Sequence, residues 1–175
     1  MTEVNEGWLE EYKKRSASIS EIRMTQFRLD PESPAVLAQG KRPRVTPHAL
    51  MLVRDGTHVI RIGTPGAEMQ TQANVQVLHN LLVFGMRIQD AIDAPRFRSL
   101  KWPNSFSPHD SEPGVVGLEA TLYDAIAKDL AGLGYEVRRW EDWHNHLSAV
   151  GAVLRTDQGL IAGSDPRDAT TAAGE

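Results

Sequence analysis

The segment Gly63-Thr64-Pro65-Gly66-Ala67 combines residue types that could do chemistry at a turn. It follows an apolar stretch and precedes a helix-like run, so the chain turns sharply just before a helix begins. Such a corner can point backbone N–H groups outward at a helix N-terminus, where an anion or a developing oxyanion is held. The alternative interpretation is a plain type II turn with Pro65 second and Gly66 third. Phosphate-loop and dinucleotide fingerprints are both missing from this segment.

Histidines offer a second kind of chemistry. His144 and His146 are two residues apart and would share one face of a strand, as a pair of metal ligands does. No third ligand cluster accompanies them, so we predict no metal site and no metal catalysis. The other histidines are expected to be surface or packing residues; they are His48, His58, His79 and His109.

The carboxylates and serines of the sequence provide little evidence for a catalytic site. Asp90 and Asp93 lie three apart on a short predicted helix, and Glu141-Asp142 precede Trp143; we interpret all four as solvated charges. The sequence contains neither a Gly-x-Ser-x-Gly elbow nor a Ser-x-x-Lys motif, so a serine hydrolase has no local support. No cofactor-binding motif is present.

The sequence predicts a mixture of strands and helices, and these elements must position the corner. A hairpin turning at Asp55-Gly56 precedes it, and a helix over about residues 68–83 follows it. A shorter helix ends at Pro95, and a third helix has Leu122, Ile126, Leu130 and Leu133 on one face. Five further strands are predicted in "RFRSL", "VVGLE", "YEVRRW", "LSAVGAVLR" and "GLIAGSD". The pattern favours an α+β fold over a doubly wound parallel sheet.

Composition narrows the class of protein. The chain has 175 residues, a formal net charge of −4, 41% hydrophobic residues and no cysteine. These values fit one globular domain without disulfides or thiol chemistry, and no basic face suggests nucleic acid. The longest apolar runs are shorter than a membrane span, and the charged N-terminal residues do not resemble a signal peptide. We expect a soluble, cytoplasmic protein.

Several segments together resemble a known family. They occur in one order with family-like spacing: "GKRPRVTPHALMLVRDG" (Gly40–Gly56), "GTPGAEMQTQANVQVLHNLLVFGM" (Gly63–Met86), "QDAIDAPRF" (Gln89–Phe97) and "GSDPR" (Gly163–Arg167). This set is similar to the small, C-terminal subunit of gamma-glutamyltranspeptidases and related amidases, from about Arg23 onward. The resemblance implies an N-terminal nucleophile hydrolase fold, here an incomplete αββα sandwich. In that fold a precursor cuts itself, and the new N-terminal threonine attacks the amide.

The resemblance also implies site residues. Gly66 and Ala67 match paired glycines whose N–H groups form the oxyanion hole, although the second position here is alanine. Val45 and Thr46 match paired serines that contact the substrate carboxylate in glutathione-cleaving members. Arg23 and Gln26 match the segment that holds the γ-glutamyl α-amino group. Because Val45 has no hydroxyl and Gln26 no charge, glutathione is expected to fit poorly.

The family's threonine-rich block, roughly T-[ST]-H-x-[ST]-V-x-D, has no counterpart before Arg23. We therefore expect a family fragment that lacks its nucleophile and is inactive alone. Residues 1–22 are predicted to form a helical segment, a remnant of the large subunit, and residues 23–175 a small-subunit-like domain. The alternative is a non-catalytic subunit or scaffold that self-associates or pairs with a separate chain carrying the threonine. The expected substrate of an active assembly is a small-molecule amide.

Overall fold

The structure is a computed structural model that describes residues 23–169 and 171–173. The predicted helical segment at residues 1–22 lies outside the described residues. The chain divides into two compact units, one of Met1–Val45 with Asn104–Asp110 and the other of Thr46–Pro103 with Ser111–Glu175. All the strands named below belong to the second unit.

Seven strands and three α-helices follow one another in the described residues of the second unit. Their bounds are β1 Ala49–Arg54, β2 Thr57–Gly63, α1 Met69–Leu82, α2 Ile88–Asp93, β3 Phe97–Ser99, β4 Val115–Glu119, α3 Ala120–Gly132, β5 Glu136–Trp140, β6 Gly151–Thr156 and β7 Gly159–Gly163. A short 3₁₀ helix, Asn145–Leu147, precedes β6. The predicted α+β class is confirmed.

Four antiparallel strands form the larger sheet, in the order β1-β2-β6-β7. The predicted hairpin is present: Asp55 and Gly56 both have positive φ, as a tight two-residue turn between twisted strands requires. Alternate residues of the sheet face a buried core. Ile60 and Ile62 pack there with Met69 and Val77 of α1, and Ile92 of α2 completes this core. The core therefore fixes the end of β2 against the start of α1.

The smaller sheet has the order β3-β4-β5. Strands β3 and β4 are antiparallel, whereas β4 and β5 are parallel and are joined by α3 as a crossover helix. The indole ring of Trp140 lies over Gly117 so closely that a Cβ atom at Gly117 would lie 2.1 Å from the ring. Gly117 therefore makes room for Trp140.

Helix α1 also closes the free edge of β3 with two glutamine side chains. The Gln76 amide accepts from the N–H of Phe97 and donates to its carbonyl, both at 3.0 Å. Gln72, one turn earlier, does the same for Ser99 at 2.8 and 3.2 Å. Two side chains at i and i+4 thus replace a neighbouring strand, and helix α1 is tied to both sheets.

Helix α3 forms where predicted, but its predicted apolar face is only partly buried among the described residues, with Leu122 and Leu130 half-buried. Ile126 is 37% exposed and Leu133 is 76% exposed, and Ala120 is the buried residue of this helix. Periodicity located the helix correctly, yet it could not show how much of the face this chain covers. Among the described residues, no helix is long and apolar enough to cross a membrane.

Candidate functional site

The Gly66-Ala67 corner has two adjacent backbone N–H groups that no acceptor among the described residues uses. The carbonyl of Gly66 accepts from Met69 N–H at 2.9 Å, and the carbonyl of Ala67 accepts from Gln70 N–H at 3.2 Å. Within the described part of the chain, the N–H groups of Gly66 and Ala67 donate to no acceptor. Both precede the 14-residue helix α1, where the helix dipole favours negative charge. The corner can therefore hold an anion or an oxyanion.

The backbone conformation of the corner is unusual. Gly66 has φ +116° and Ala67 has φ +49°. Alanine rarely adopts a positive φ because its Cβ atom crowds the backbone, so Ala67 occupies a conformation that suits glycine better. The hydrogen bond that often closes a type II turn, from Ala67 N–H to the Thr64 carbonyl, is not formed among the described residues.

A serine lies directly behind the corner. A Cβ atom at Gly66 would lie 2.3 Å from the Oγ atom of Ser148, so a larger residue at position 66 would collide with it. Ser148 is buried, with φ 68° and ψ 172°, a combination that is almost exclusive to glycine. A second contact runs beside it, because Ala149 N–H donates to Thr64 Oγ1 at 3.0 Å.

Four buried charged side chains lie beyond Ser148 and form what we term the ion cluster: Arg96, Glu119, Asp165 and Arg167. Arg96 Nη1 is 2.7 Å from Asp165 Oδ2, and Arg167 Nη2 is 2.6 Å from Glu119 Oε2. Arg167 also contacts Asp165 at 3.1 Å. The cluster holds two positive and two negative charges, so each buried charge has an opposite partner.

The ion cluster holds the segment that backs the corner. Arg96 Nη1 donates to the carbonyls of Leu147 and Ser148 at 3.2 and 3.3 Å. Asp165 Oδ2 accepts from Val150 N–H at 2.8 Å. The backbone is thus fixed on both sides of Ser148 by charged groups that cannot easily leave the interior.

Electrostatics differ between the two buried arginines. Burial lowers the pKa of Arg96, and the nearby charge of Arg167 lowers it further, against the opposing pull of Asp165. Burial also acts against the charge of Arg167, but its hydrogen bonds and attraction to Glu119 outweigh this, so the pKa of Arg167 is raised. The charged form is therefore favoured more strongly at Arg167 than at Arg96.

The predicted substrate residues fall in both units. Thr46 is half-buried and belongs to the unit that contains the corner, whereas Val45 is 69% exposed and belongs to the other unit. Gln26 is buried in that other unit; its amide accepts from Arg23 at 2.9 Å and donates to the carbonyl of Arg44. The substrate-binding role of Arg23, Gln26, Val45 and Thr46 stays a prediction.

The histidine pair is not on a strand, and that prediction is wrong. His144 precedes the 3₁₀ helix and His146 lies in it, because β6 begins only at Gly151. The His144 ring stacks on Trp140 with ring centroids 5.5 Å apart, and His146 N–H donates to His144 Nδ1 at 3.2 Å. Among the described residues no group of three or more potential ligands could hold a metal ion.

The paired carboxylates have ordinary structural partners. Asp90 forms an exposed ion pair with Arg87, and Asp93 accepts from Gln89. Asp142 accepts from both the N–H and the hydroxyl of Thr121, at the start of α3.

Sequence reasoning missed Ser148 and Glu119 as supports of the corner. Arg96, Asp165 and Arg167 lie in "QDAIDAPRF" and "GSDPR", two of the segments that carried the resemblance. Those segments could therefore have signalled the ion cluster. Ser148 gives no such signal, because its backbone conformation cannot be read from its residue type.

Comparison with known proteins identifies the family. Residues 12–175 match the family described as gamma-glutamyltranspeptidase. The chain belongs to the gamma-glutamyltranspeptidase family. The oxamate amidohydrolase proenzyme of Klebsiella pneumoniae is 31% identical to it over 156 residues, which are 87% of this chain and 28% of that protein. The chain thus spans little more than a quarter of this relative.

Solved structures agree on the fold. Cephalosporin acylase from Bacillus halodurans is 29% identical with a TM-score of 0.68, and the match covers 83% of this chain and 25% of that one. A gamma-glutamyltranspeptidase from Pseudomonas nitroreducens matches with a TM-score of 0.70 at 22% identity, which shows the fold alone; this match covers 87% of this chain and 79% of that one. These family members are N-terminal nucleophile hydrolases, and the predicted fold class is confirmed.

Proposed function

We propose that this chain is the small-subunit-like part of an amide hydrolase or acyltransferase, and that its Gly66-Ala67 corner stabilises the oxyanion. The observation that carries the proposal is the pair of N–H groups at the start of α1 without an acceptor among the described residues. Membership of the gamma-glutamyltranspeptidase family supports the same reaction class.

In the proposed reaction a hydroxyl nucleophile attacks the amide carbonyl carbon, and the carbonyl oxygen gains the negative charge. Donors from Gly66 and Ala67 would stabilise that oxygen more than the neutral carbonyl, which lowers the barrier. The amine leaves with a proton as the C–N bond breaks. The acyl group then passes from the nucleophile to water or to a second amine.

We further propose that the nucleophile is supplied by a polypeptide segment outside these 175 residues. The threonine-rich block of the family is not found in this sequence. Without a nucleophile, an acyl-transfer site keeps only oxyanion and binding effects, roughly 10³-fold over water. We therefore expect the 175-residue chain to be inactive by itself.

The exposed apolar residues on the outer face of the larger sheet are an argument for a partner chain. Met51, Val53 and Leu160 are 50%, 54% and 67% exposed. Met51 pairs with Arg61 and Arg61 with Val153, so an apolar row with one arginine crosses three strands. A large-subunit-like chain that stacks a second sheet here would bury this row. The alternative function, a non-catalytic subunit or scaffold, uses the same face without turnover.

The acyl group is proposed to differ from the γ-glutamyl group of glutathione. Val45 cannot donate a hydrogen bond to a substrate carboxylate. Gln26 is neutral, and its amide already pairs with Arg23 and Arg44. An ammonium group on the substrate would therefore gain no charge pairing from Gln26.

Turnover and mass spectrometry test this proposal together. The chain carries a C-terminal tag, is purified from its own cells and is measured by native mass spectrometry and by hydrolysis of acyl p-nitroanilides. We expect no turnover by the chain alone above a Gly66→Pro control, and turnover by its complex with a larger chain. Turnover by the pure chain would contradict the missing nucleophile, and a complex without turnover would favour the scaffold.

A direct test of the corner uses ¹⁵N-labelled protein titrated with oxamate. The amide signals of Gly66 and Ala67 are expected to shift more than those of the Asp55-Gly56 turn, which also has positive φ but opens no helix. Equal shifts at both places would remove the support for an oxyanion site.

A further inference from the structure

Ser148 is the residue that the proposed reaction does not use and that the structure leaves unexplained. Its side chain is buried, and its Oγ atom has no hydrogen-bond partner in the described part of the chain. A buried hydroxyl without a partner is unfavourable, and natural structures contain few of them. Its backbone adopts φ 68° and ψ 172°, which a serine also avoids.

Two unfavourable features in one residue persist only where the surroundings impose them. Here they are imposed from three directions. Arg96 holds the carbonyls of Leu147 and Ser148, Asp165 holds Val150 N–H, and Thr64 Oγ1 holds Ala149 N–H. The segment 147–150 is therefore held by the ion cluster and by Thr64, two residues before Gly66.

The side chain of Ser148 occupies the space that a Cβ atom at Gly66 would need. The Oγ and Cβ atoms of Ser148 would lie 2.3 and 3.4 Å from that atom. Any rotation of Gly66 that moves its Cα atom toward Ser148 would meet this side chain. Gly66, with φ +116°, has more backbone freedom than the other residues of the corner. A steric contact that limits its rotation is therefore more important at Gly66 than at its neighbours.

We infer that Ser148 is a positioning residue that, through steric contact with Gly66, holds the backbone of Gly66 and Ala67 in the conformation that leaves both N–H groups without an acceptor among the described residues. This inference rests on the proposed function for its purpose, but its physical content is the rigidity of the corner. Ser148 itself touches no substrate, because its Oγ atom is buried behind Gly66.

The first test needs no ligand. In Ser148→Gly the backbone conformation is no longer strained, and the side chain that contacts Gly66 is removed. The melting temperature should therefore stay the same or rise. The amide signals of Gly66 and Ala67 should nevertheless show microsecond-to-millisecond exchange by relaxation dispersion, which is expected to be absent from the unmodified chain. Unchanged, sharp signals at both amides would overturn the inference. Asp55→Gly is the matched control, since it relieves a positive φ in the β1–β2 turn, away from the corner.

Rescue provides the second test. Gly66→Ala alone should disturb the corner, because its Cβ atom collides with Ser148 Oγ. Gly66→Ala combined with Ser148→Gly should recover the part of the stability that is lost to the collision, since the next atom, Met69 Cβ, would be at 3.7 Å, whereas the strain of alanine at φ +116° remains in both variants. Additive effects of the two substitutions would contradict a contact between these residues.

The oxamate titration separates this inference from the proposed function. If the unmodified corner responds and Ser148→Gly weakens the response about fivefold or more, both stand. A full response in Ser148→Gly would overturn the positioning role while leaving the oxyanion site intact. No response in the unmodified chain would refute the oxyanion site, and the relaxation and rescue measurements would still decide the role of Ser148.

Discussion

The guanidinium of Arg96 and the carboxylate of Asp165 form an ion pair at 2.7 Å with both side chains almost completely buried. Arg96 follows α2 and Asp165 follows β7, so the pair joins two parts of the chain that are far apart in sequence. The same two side chains also hold the backbone on either side of Ser148. The ion pair thus connects the interior of the fold with the corner at the start of α1.

Asp165→Asn should be strongly destabilising. The substitution keeps the size of the side chain but leaves the charge of Arg96 buried without its partner. Removal of one member of a buried pair costs about 3–5 kcal/mol of the free energy of unfolding. Urea denaturation followed by circular dichroism measures this loss. Asp157→Asn in the exposed β6–β7 turn is the control and should change stability little; an equally small effect of Asp165→Asn would show that the cluster is not needed for folding.

Gly117→Ala should also destabilise the chain, for a steric reason. The new Cβ atom would lie 2.1 Å from the Trp140 ring, so the ring must move away from β4. Overpacking of this kind costs about 1–3 kcal/mol. Tryptophan fluorescence should change as well, because Trp140 stacks on His144.

The control for Gly117→Ala is Gly132→Ala. Gly132 is the last residue of α3, and a Cβ atom there would meet nothing within 4 Å. Because alanine favours helix more than glycine does, this variant should be neutral or stabilised by up to about 1 kcal/mol. If both variants lost equal stability, the contact with Trp140 would not be the cause.

The secondary structure could be predicted from sequence because its signals are local. The Asp55-Gly56 turn, the apolar stripe of α1 and the stop at Pro95 each depend on a few neighbouring residues. The resemblance added the family and the corner. The sequence could not show that the face of α3 with Ile126 and Leu133 stays exposed, because burial depends on what else packs there.

The supports of the corner depend on contacts across long sequence separations. Gly66 and Ser148 are 82 positions apart, and their contact exists only after β2 and β6 pair. The strand predicted for "LSAVGAVLR" begins at Gly151, four residues after Leu147, since segment 147–150 is held by the ion cluster instead. Apolar pattern alone cannot distinguish a strand from a segment fixed by buried charges.

Ala67→Gly should stabilise the chain while it preserves the corner. Ala67 has φ +49°, which costs alanine free energy that glycine does not lose. After the greater chain entropy of unfolded glycine is subtracted, we expect a net gain of about 0.5–1 kcal/mol. Thermal and urea unfolding measure the gain. Ala125→Gly, at an exposed position inside α3, should instead lose about 1 kcal/mol; a loss at both positions would mean that Ala67 is not strained.

His146 should make stability depend on pH. Partial desolvation of the ring lowers the pKa of His146, and the neighbouring His144 and Arg98 lower it further. The unfolded chain therefore takes up a proton at a higher pH than the folded chain does. The free energy of unfolding should fall as pH decreases from about 7 toward 5. His146→Gln should reduce that slope, and Arg98→Gln should reduce it partly because one repelling charge is removed. Proton NMR of the His146 ring gives the pKa directly, and titration above the ordinary histidine value would contradict this account.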